Sequence, residues 1–168
     1  MAEPFDVLMG SMDPAMVIVT AAHQGGRSGC LVGFHSQVSI EPLRYGVWIS
    51  RANHTYPVAV AASHLAVHVL GADQRALAHL FGATTGDDTD KFARCRWAEG
   101  PGGVPVLLDC PAHMVVRRID VVDDGGDHVG IITEPIAFGS AEPVAPMRLA
   151  AVEDMEPGHP AGDPPAGG

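Results

Sequence analysis

Arg51 stands beside Ser50 and is followed by Asn53, His54 and Thr55, at a point where an apolar run gives way to an alanine-rich one. A guanidinium, several hydrogen-bonding side chains and the positive end of a helix at one spot are an anion site by chemistry; the plainer reading is a capped helix with a solvated arginine. A second candidate is His128, next to Asp127. One ring nitrogen can bond the carboxylate while the other is presented to a ligand, the plainer reading being an exposed turn histidine. A third is the stretch Gly29 to Pro42, continued by Val47, Trp48 and Ile49, where small residues and hydroxyls interrupt or follow apolar runs and leave backbone N–H groups available to an anion.

Other chemistry is excluded by spacing. Gly25-Gly26-x-x-Gly29 lacks the GxGxxG form and sits in a predicted hairpin, so a Rossmann cradle is not expected. No GxxxxGK[ST] and no GxSxG is present, which removes the P-loop and serine-hydrolase readings. His64 and His68 are four apart but fall in a strand pattern, and none of the nine histidines clusters with ligand spacing, so no metal site is expected. Cys30, Cys95 and Cys110 are odd in number without a CxxC, which reads as reduced thiols in a cytoplasmic protein. The start lacks the basic and apolar regions of a signal peptide, and Val58 to Leu70 is too short to span a bilayer. Ten basic against 20 acidic residues, net −10, argue against nucleic acid and membrane surfaces as partners.

These groups have to be positioned by something. At 168 residues, 46% hydrophobic and 18% charged, the chain suits one domain with its own core. The last sixteen residues, 153–168, hold four prolines, four glycines and four acids and are expected to be a disordered tail, leaving 16 acids against 10 bases in a domain over residues 1–150. No internal repeat is visible. Short β-branched runs separated by Gly, Asp and Pro predict strands over 16–23, 29–34, 37–40, 46–51, 65–70, 113–120 and 127–133. His23 to Arg27 reads as a tight turn between the first two. One helix is predicted after Asn53-His54-Thr55 up to Ser63, with Pro57 in its first turn, and another from an Asp73 cap to Gly82. Strands without regular helix alternation predict a mainly β protein, a barrel with a few helices.

Met12 to Thr20, the Gly29 to Pro42 stretch, Leu65 to Leu70, Asp90-Lys91-Phe92 and Gly126-Asp127-His128, in that order, resemble the flavin reductase-like family, from about residue 5 to about residue 140. The resemblance implies an FMN-binding split β-barrel that forms a homodimer, binds FMN or FAD near the subunit interface and reduces it with NADH or NADPH. It also implies a possible partner, a flavin-dependent monooxygenase that receives the reduced flavin. Carried over residue by residue, Leu31, Val32, Gly33, Phe34 and Ser36 wrap the flavin, and Arg51 is its phosphate partner. Ser50, Asn53, His54 and Thr55 add hydrogen bonds, Phe81 and Lys91 lie near the same pocket, and His128 orients the nicotinamide as the one catalytic residue.

The sequence departs from the family where relatives usually carry polar or hydroxyl residues and this chain has Leu31, Gly33 and Phe34. Backbone groups could replace the lost side-chain bonds, since Gly33 permits close approach. The alternatives are a pocket for another planar group, a deazaflavin or a heme, and a flavin-binding protein without turnover. Phe34 and Trp48 could stack on such a ring, core packing being the plainer reading of Trp48.

Overall fold

The computed structural model describes residues 3–158 other than 87 and 141. In chain order its helices and strands are α1 (Pro4–Met12), β1 (Val17–His23), β2 (Gly26–Val32), β3 (His35–Ser39), β4 (Arg44–Ser50), α2 (Thr55–Ala61), β5 (His64–Val69), α3 (Arg75–Gly82), β6 (Trp97–Glu99), β7 (Pro105–Leu107), β8 (Ala112–Val122) and β9 (His128–Phe138). Seven strands pair antiparallel in the order β2-β1-β5-β8-β9-β4-β3, and β6 and β7 form a small separate ladder.

The β1–β2 hairpin shows how local sequence sets the register. Gln24 and Gly25 have φ of 49° and 80°, so the two-residue loop has the left-handed backbone that matches strand twist and favours glycine. His23 therefore faces Gly26, and the pairing runs on to Val17 opposite Val32.

Alternation along β1 divides the interior. Val17, Val19 and Ala21 join Cys30 and Val32 of β2, Val47 and Ile49 of β4, Leu65 and Val67 of β5, Val116 of β8, Ile131 of β9 and Ala59 of α2 in one core. β2 is one edge of the sheet and β4 lies next to the other, so sharing a core requires the sheet to curl on itself into a half-barrel. The other face of β1 is also covered: Met16 and Ile18 pack with Ala78 and Phe81 of α3, Phe92, Leu107, Met147 and Val152. That double burial explains why β1 reads as a continuous apolar run.

The predicted strands are all present with shifted ends, β9 running on to Phe138. Three expectations need correction. α1 carries no strand or cap signal in the sequence, and none of its residues is buried. α3 starts at Arg75 after Gln74, not from an Asp73 cap, because the Gln74 side chain accepts from the Gly71 N–H at 2.9 Å. Residues 153–158, expected to belong to a disordered tail, are in part packed on the body. Val152 is buried, Met155 packs on the α3 core, Asp154 pairs with Arg75 at 2.8 and 2.9 Å, and the Gly158 N–H donates to the Gly82 carbonyl. Residues 159–168 of that tail lie outside the described residues.

Candidate functional site

Two cavities adjoin where β2 passes the turn between β4 and α2. One, of about 320 Å³, is walled by Met16, Cys30 to Phe34, Trp48, Ile49, Ser50, Asn53, Asp127, His128, Leu149 and Pro157. The other, of about 300 Å³, is lined by Arg27, Ser28, Gly29, His54, Gly86, Asp88, Thr89, Asp90, Lys91 and Phe92. Consecutive residues, Gly29 and Cys30 on β2, Asn53 and His54 on the turn, contribute to one each.

The first cavity is apolar with a polar rim. Trp48 lies over two glycines: a Cβ built on Gly46 would meet its ring at 2.8 Å and one on Gly130 at 2.7 Å. Gly130 is its partner across β4 and β9, so the missing side chains leave room for the indole at the cavity wall. At the rim the Asp127 carboxylate accepts from the Nδ1–H of His128 at 2.8 Å, which leaves Nε2 without a partner among the described residues. This bond holds the Asp127 carboxyl below the usual carboxylate range. Phe34 lies 4.9 Å from the His128 ring at 56°.

The second cavity contains a buried cation. Lys91, only 6% exposed, donates to the carbonyls of Gly29 at 3.1 Å and Phe81 at 3.2 Å and has no carboxylate partner among the described residues. Burial pushes its ammonium below the ordinary lysine value. Asp90 holds the turn that delivers it, accepting from the Phe92 N–H at 3.1 Å. Arg27 lines the same cavity, with its guanidinium carbon 4.5 Å from the Trp97 ring centre and no ion pair among the described residues.

Thiol chemistry does not belong here. Burial pushes the Cys30 thiol up to about 11 and that of Cys110 up to about 12, so both are protonated near neutrality and are poor nucleophiles.

The family model described as "Flavin reductase like domain" matches residues 9–151. The chain belongs to this family. It is 33% identical over 130 residues to the FMN reductase (NADH) RutF of Variovorax paradoxus, covering 77% of this chain and 71% of that protein. It is 32% identical to the NADH:riboflavin 5'-phosphate oxidoreductase of Streptomyces pristinaespiralis, over 86% of this chain and 80% of that protein. The stachydrine N-demethylase reductase subunit of Rhizobium meliloti is 28% identical, and there the chain spans only 56% of the relative's length. The fold matches that of flavin reductase HpaC complexed with NADP+, with a TM-score of 0.72 at 22% identity, covering 87% of this chain and 98% of that one. The expected split-barrel fold is therefore the fold of the chain.

Against the flavin reductase pattern, the structure gathers Leu31, Val32, Gly33, Phe34, Ser50, Asn53 and His128 around the first cavity and His54 and Lys91 around the second. Four expected residues line neither. Ser36 is exposed and bonds the Gln37 carbonyl. Thr55 is buried with its hydroxyl on that of Ser28 at 2.8 Å. Phe81 is core, edge-on to Phe92, and contributes only its carbonyl to Lys91. Arg51 donates through Nε to the Gly126 carbonyl at 2.8 Å, pairs with Asp123 and reaches the Tyr56 hydroxyl at 3.5 Å, so its guanidinium is engaged within the chain.

Arg27, Leu149 and Pro157 are cavity residues that no motif marks, and Met16 lies in the Met12 to Thr20 motif without having been expected at the site. Arg27 is placed by the hairpin register. Leu149 and Pro157 arrive because Met147 bridges Met16 and Leu70 through backbone bonds and carries the following chain across the barrel.

Proposed function

We propose that this chain is an NADH- or NADPH-dependent flavin reductase that takes FMN, or FAD, as its flavin. The observation that carries the reading is Lys91, a buried cation with no carboxylate partner among the described residues, on the wall of a cavity adjoining an apolar one bounded by Trp48 and Phe34. A stranded cation in low dielectric is costly unless an anion completes it, and a phosphorylated flat ring supplies both an anion and an apolar face. Asp88 and Asp90 line the same cavity, Asp90 already accepting from the Phe92 N–H, and Lys91 and Arg27 are the cations there that fit a flavin phosphate.

Lys91 and Arg27 would hold the phosphate, and Leu31, Gly33, Trp48 and Ile49 would wall the ring. Bound flavin supplies the hydride acceptor, so no protein acid or base is needed at the reacting carbon. The part left to the protein is alignment: His128, fixed by Asp127, presents Nε2 at the rim to the carboxamide of the hydride donor. With Leu31, Gly33 and Phe34 in place of hydroxyl-bearing residues, ring binding rests on shape and backbone groups, which suits a flavin that is released after reduction.

Release to a flavin-dependent monooxygenase fits relatives such as the reductase subunit HsaB of Rhodococcus jostii, named for a flavin-dependent monooxygenase and 26% identical. Exposed Ile119, Val122, Ile136 and Phe138 on the long β8–β9 hairpin support a homodimer, whose mass by sedimentation tests that part. Free Cys30, Cys95 and Cys110 suit the cytoplasm. Among the described residues no helix is long and apolar enough to cross a membrane.

The deciding experiment is titration of the purified protein with FMN, followed by NADH and NADPH oxidation with flavin in excess. Flavin-dependent oxidation of either nucleotide is expected. No flavin binding and no oxidation overturns the proposal.

A further inference from the structure

His128 is the first residue of β9 and sits at the end of a five-residue connection, Asp123 to Asp127, that on its own is held only by short local bonds. Asp123 accepts from the Gly125 N–H at 3.0 Å and Asp124 from the Gly126 N–H at 2.9 Å, with Gly125 at φ 88°. These bonds shape the connection but do not tie it to the rest of the barrel. Arg51 does so three times over. Its backbone N–H donates to the Asp127 carbonyl at 2.9 Å, its Nε to the Gly126 carbonyl at 2.8 Å, and its Nη2 pairs with Asp123. The two carbonyls belong to the residues immediately before His128, and Asp127 also fixes the imidazole through its side chain.

We propose that Arg51 is a positioning residue for His128: with Asp123 it clamps the β8–β9 connection onto β4 and so holds the imidazole at the cavity rim. The assignment rests on the flavin reductase reading above. Arg51 lines neither cavity, and its effect passes through Gly126 and Asp127. The guanidinium is suited to the task because its rigid fork serves two acceptors in different directions, a carbonyl and a carboxylate. A lysine ammonium carries the charge without that geometry.

The test compares wild type with Arg51→Gln, Arg51→Lys and Asp123→Asn. Asp123→Asn removes the charge but keeps an oxygen for the Gly125 N–H, so the connection can still form. For each, KM and kcat for the nicotinamide, FMN Kd, Tm and the His128 ring resonances of the flavin-free protein by NMR are measured. Expected are a KM raised about tenfold in Arg51→Gln and Asp123→Asn, with FMN Kd unchanged. Arg51→Lys resembles Arg51→Gln, the double variant Arg51→Gln/Asp123→Asn is no worse than Arg51→Gln alone, and His128 shows averaged ring signals in every variant. Unchanged KM and unchanged His128 signals in folded variants overturn the clamp. A raised FMN Kd with unchanged KM also overturns it, in favour of a phosphate role for Arg51. Wild type that oxidises no nicotinamide overturns the underlying reading instead, while the flavin-free NMR comparison still decides whether Arg51 orders His128.

Discussion

The ring of Phe34, 61% exposed, leans on the imidazole of His128 across the mouth of the Trp48 cavity, with centroids 4.9 Å apart and planes inclined by 56°. The two come from either side of β4: Phe34 precedes β3, while His128 opens β9 opposite Ser50 of β4. A side chain that hydrophobic is left in solvent, and its neighbour is the residue proposed to meet the hydride donor.

Phe34→Ala should therefore cost function without stability. An aromatic pair contributes about 0.5–1.5 kcal/mol, so KM for the nicotinamide should rise roughly 3- to 10-fold. A mostly exposed ring should change unfolding free energy by no more than about 0.5 kcal/mol. Steady-state kinetics and urea unfolding on the same preparation check both; a large loss of stability with unchanged KM would assign Phe34 to packing.

Lys91→Met tests the phosphate site by ligand comparison. A charge-assisted hydrogen bond is worth about 1.5–3 kcal/mol, so FMN affinity should fall about 10- to 100-fold while riboflavin, which lacks the phosphate, binds the variant and the native protein alike. Fluorescence titration with both ligands reads this directly. Equal losses for the two would show that Lys91 supports the fold of the cavity and not the phosphate.

His68 makes stability depend on pH. It is fully buried in β5, with Nδ1–H donating to the Ile18 carbonyl at 3.0 Å and Nε2 accepting from the Leu107 N–H at 2.9 Å, an arrangement that only the neutral ring satisfies. Burial, chiefly, pushes its pKa down from 6.5 to about 4. Above about pH 6.5 both folded and unfolded states hold it neutral. Below that the unfolded chain takes up the proton and the folded one does not, so stability falls from about pH 6.5 down through pH 4 and then levels, by about 3 kcal/mol in all. His68→Gln keeps a donor and an acceptor but does not titrate. Urea midpoints at pH 7, 5.5 and 4 should decline less steeply in that variant, and parallel declines would remove His68 as the cause.

Gly130→Ala tests whether the indole of Trp48 sets the cavity wall. The added methyl would lie 2.7 Å from Trp48 Nε1 and 2.8 Å from Cε2, a contact that a stiff ring can relieve only by moving as a whole. Overpacking of this kind costs about 1–3 kcal/mol, and the shifted ring should weaken FMN binding as well. Thermal unfolding and flavin titration should both respond. A native Tm would mean that the strand pair yields at no cost.

Much of the fold was legible because it is written in short-range chemistry. The β1–β2 turn follows from Gln24-Gly25, the strands from their β-branched runs, and α2 from a turn in which the Asn53 side chain accepts from the Thr55 N–H at 2.9 Å. α1 left little trace because it buries nothing. Proline, glycine and acid content does not show that Met155 packs on the α3 core or that Asp154 meets Arg75, 79 residues earlier in the chain. Among the residues lining the first cavity, Leu31 to Phe34 and His128 belong to the motifs that carry the resemblance. The resemblance implies a phosphate role for Arg51, and nothing local announces that Asp123, 72 residues later, would engage it.

The sequence by itself determined the family, the antiparallel strands and most of the types of residue that meet at the cavities, since propensity, turn chemistry and motif order are properties of neighbouring residues. Only the tertiary structure decided which charges are already engaged. The curl of the sheet brings Gly29 and Phe81 around Lys91 with no carboxylate paired to it among the described residues, and it brings Asp123 and Gly126 against Arg51. Whether a cation is left for a ligand depends on what lies within a few ångströms of it. That is set by strand register and long-range packing, not by the residues on either side in the chain.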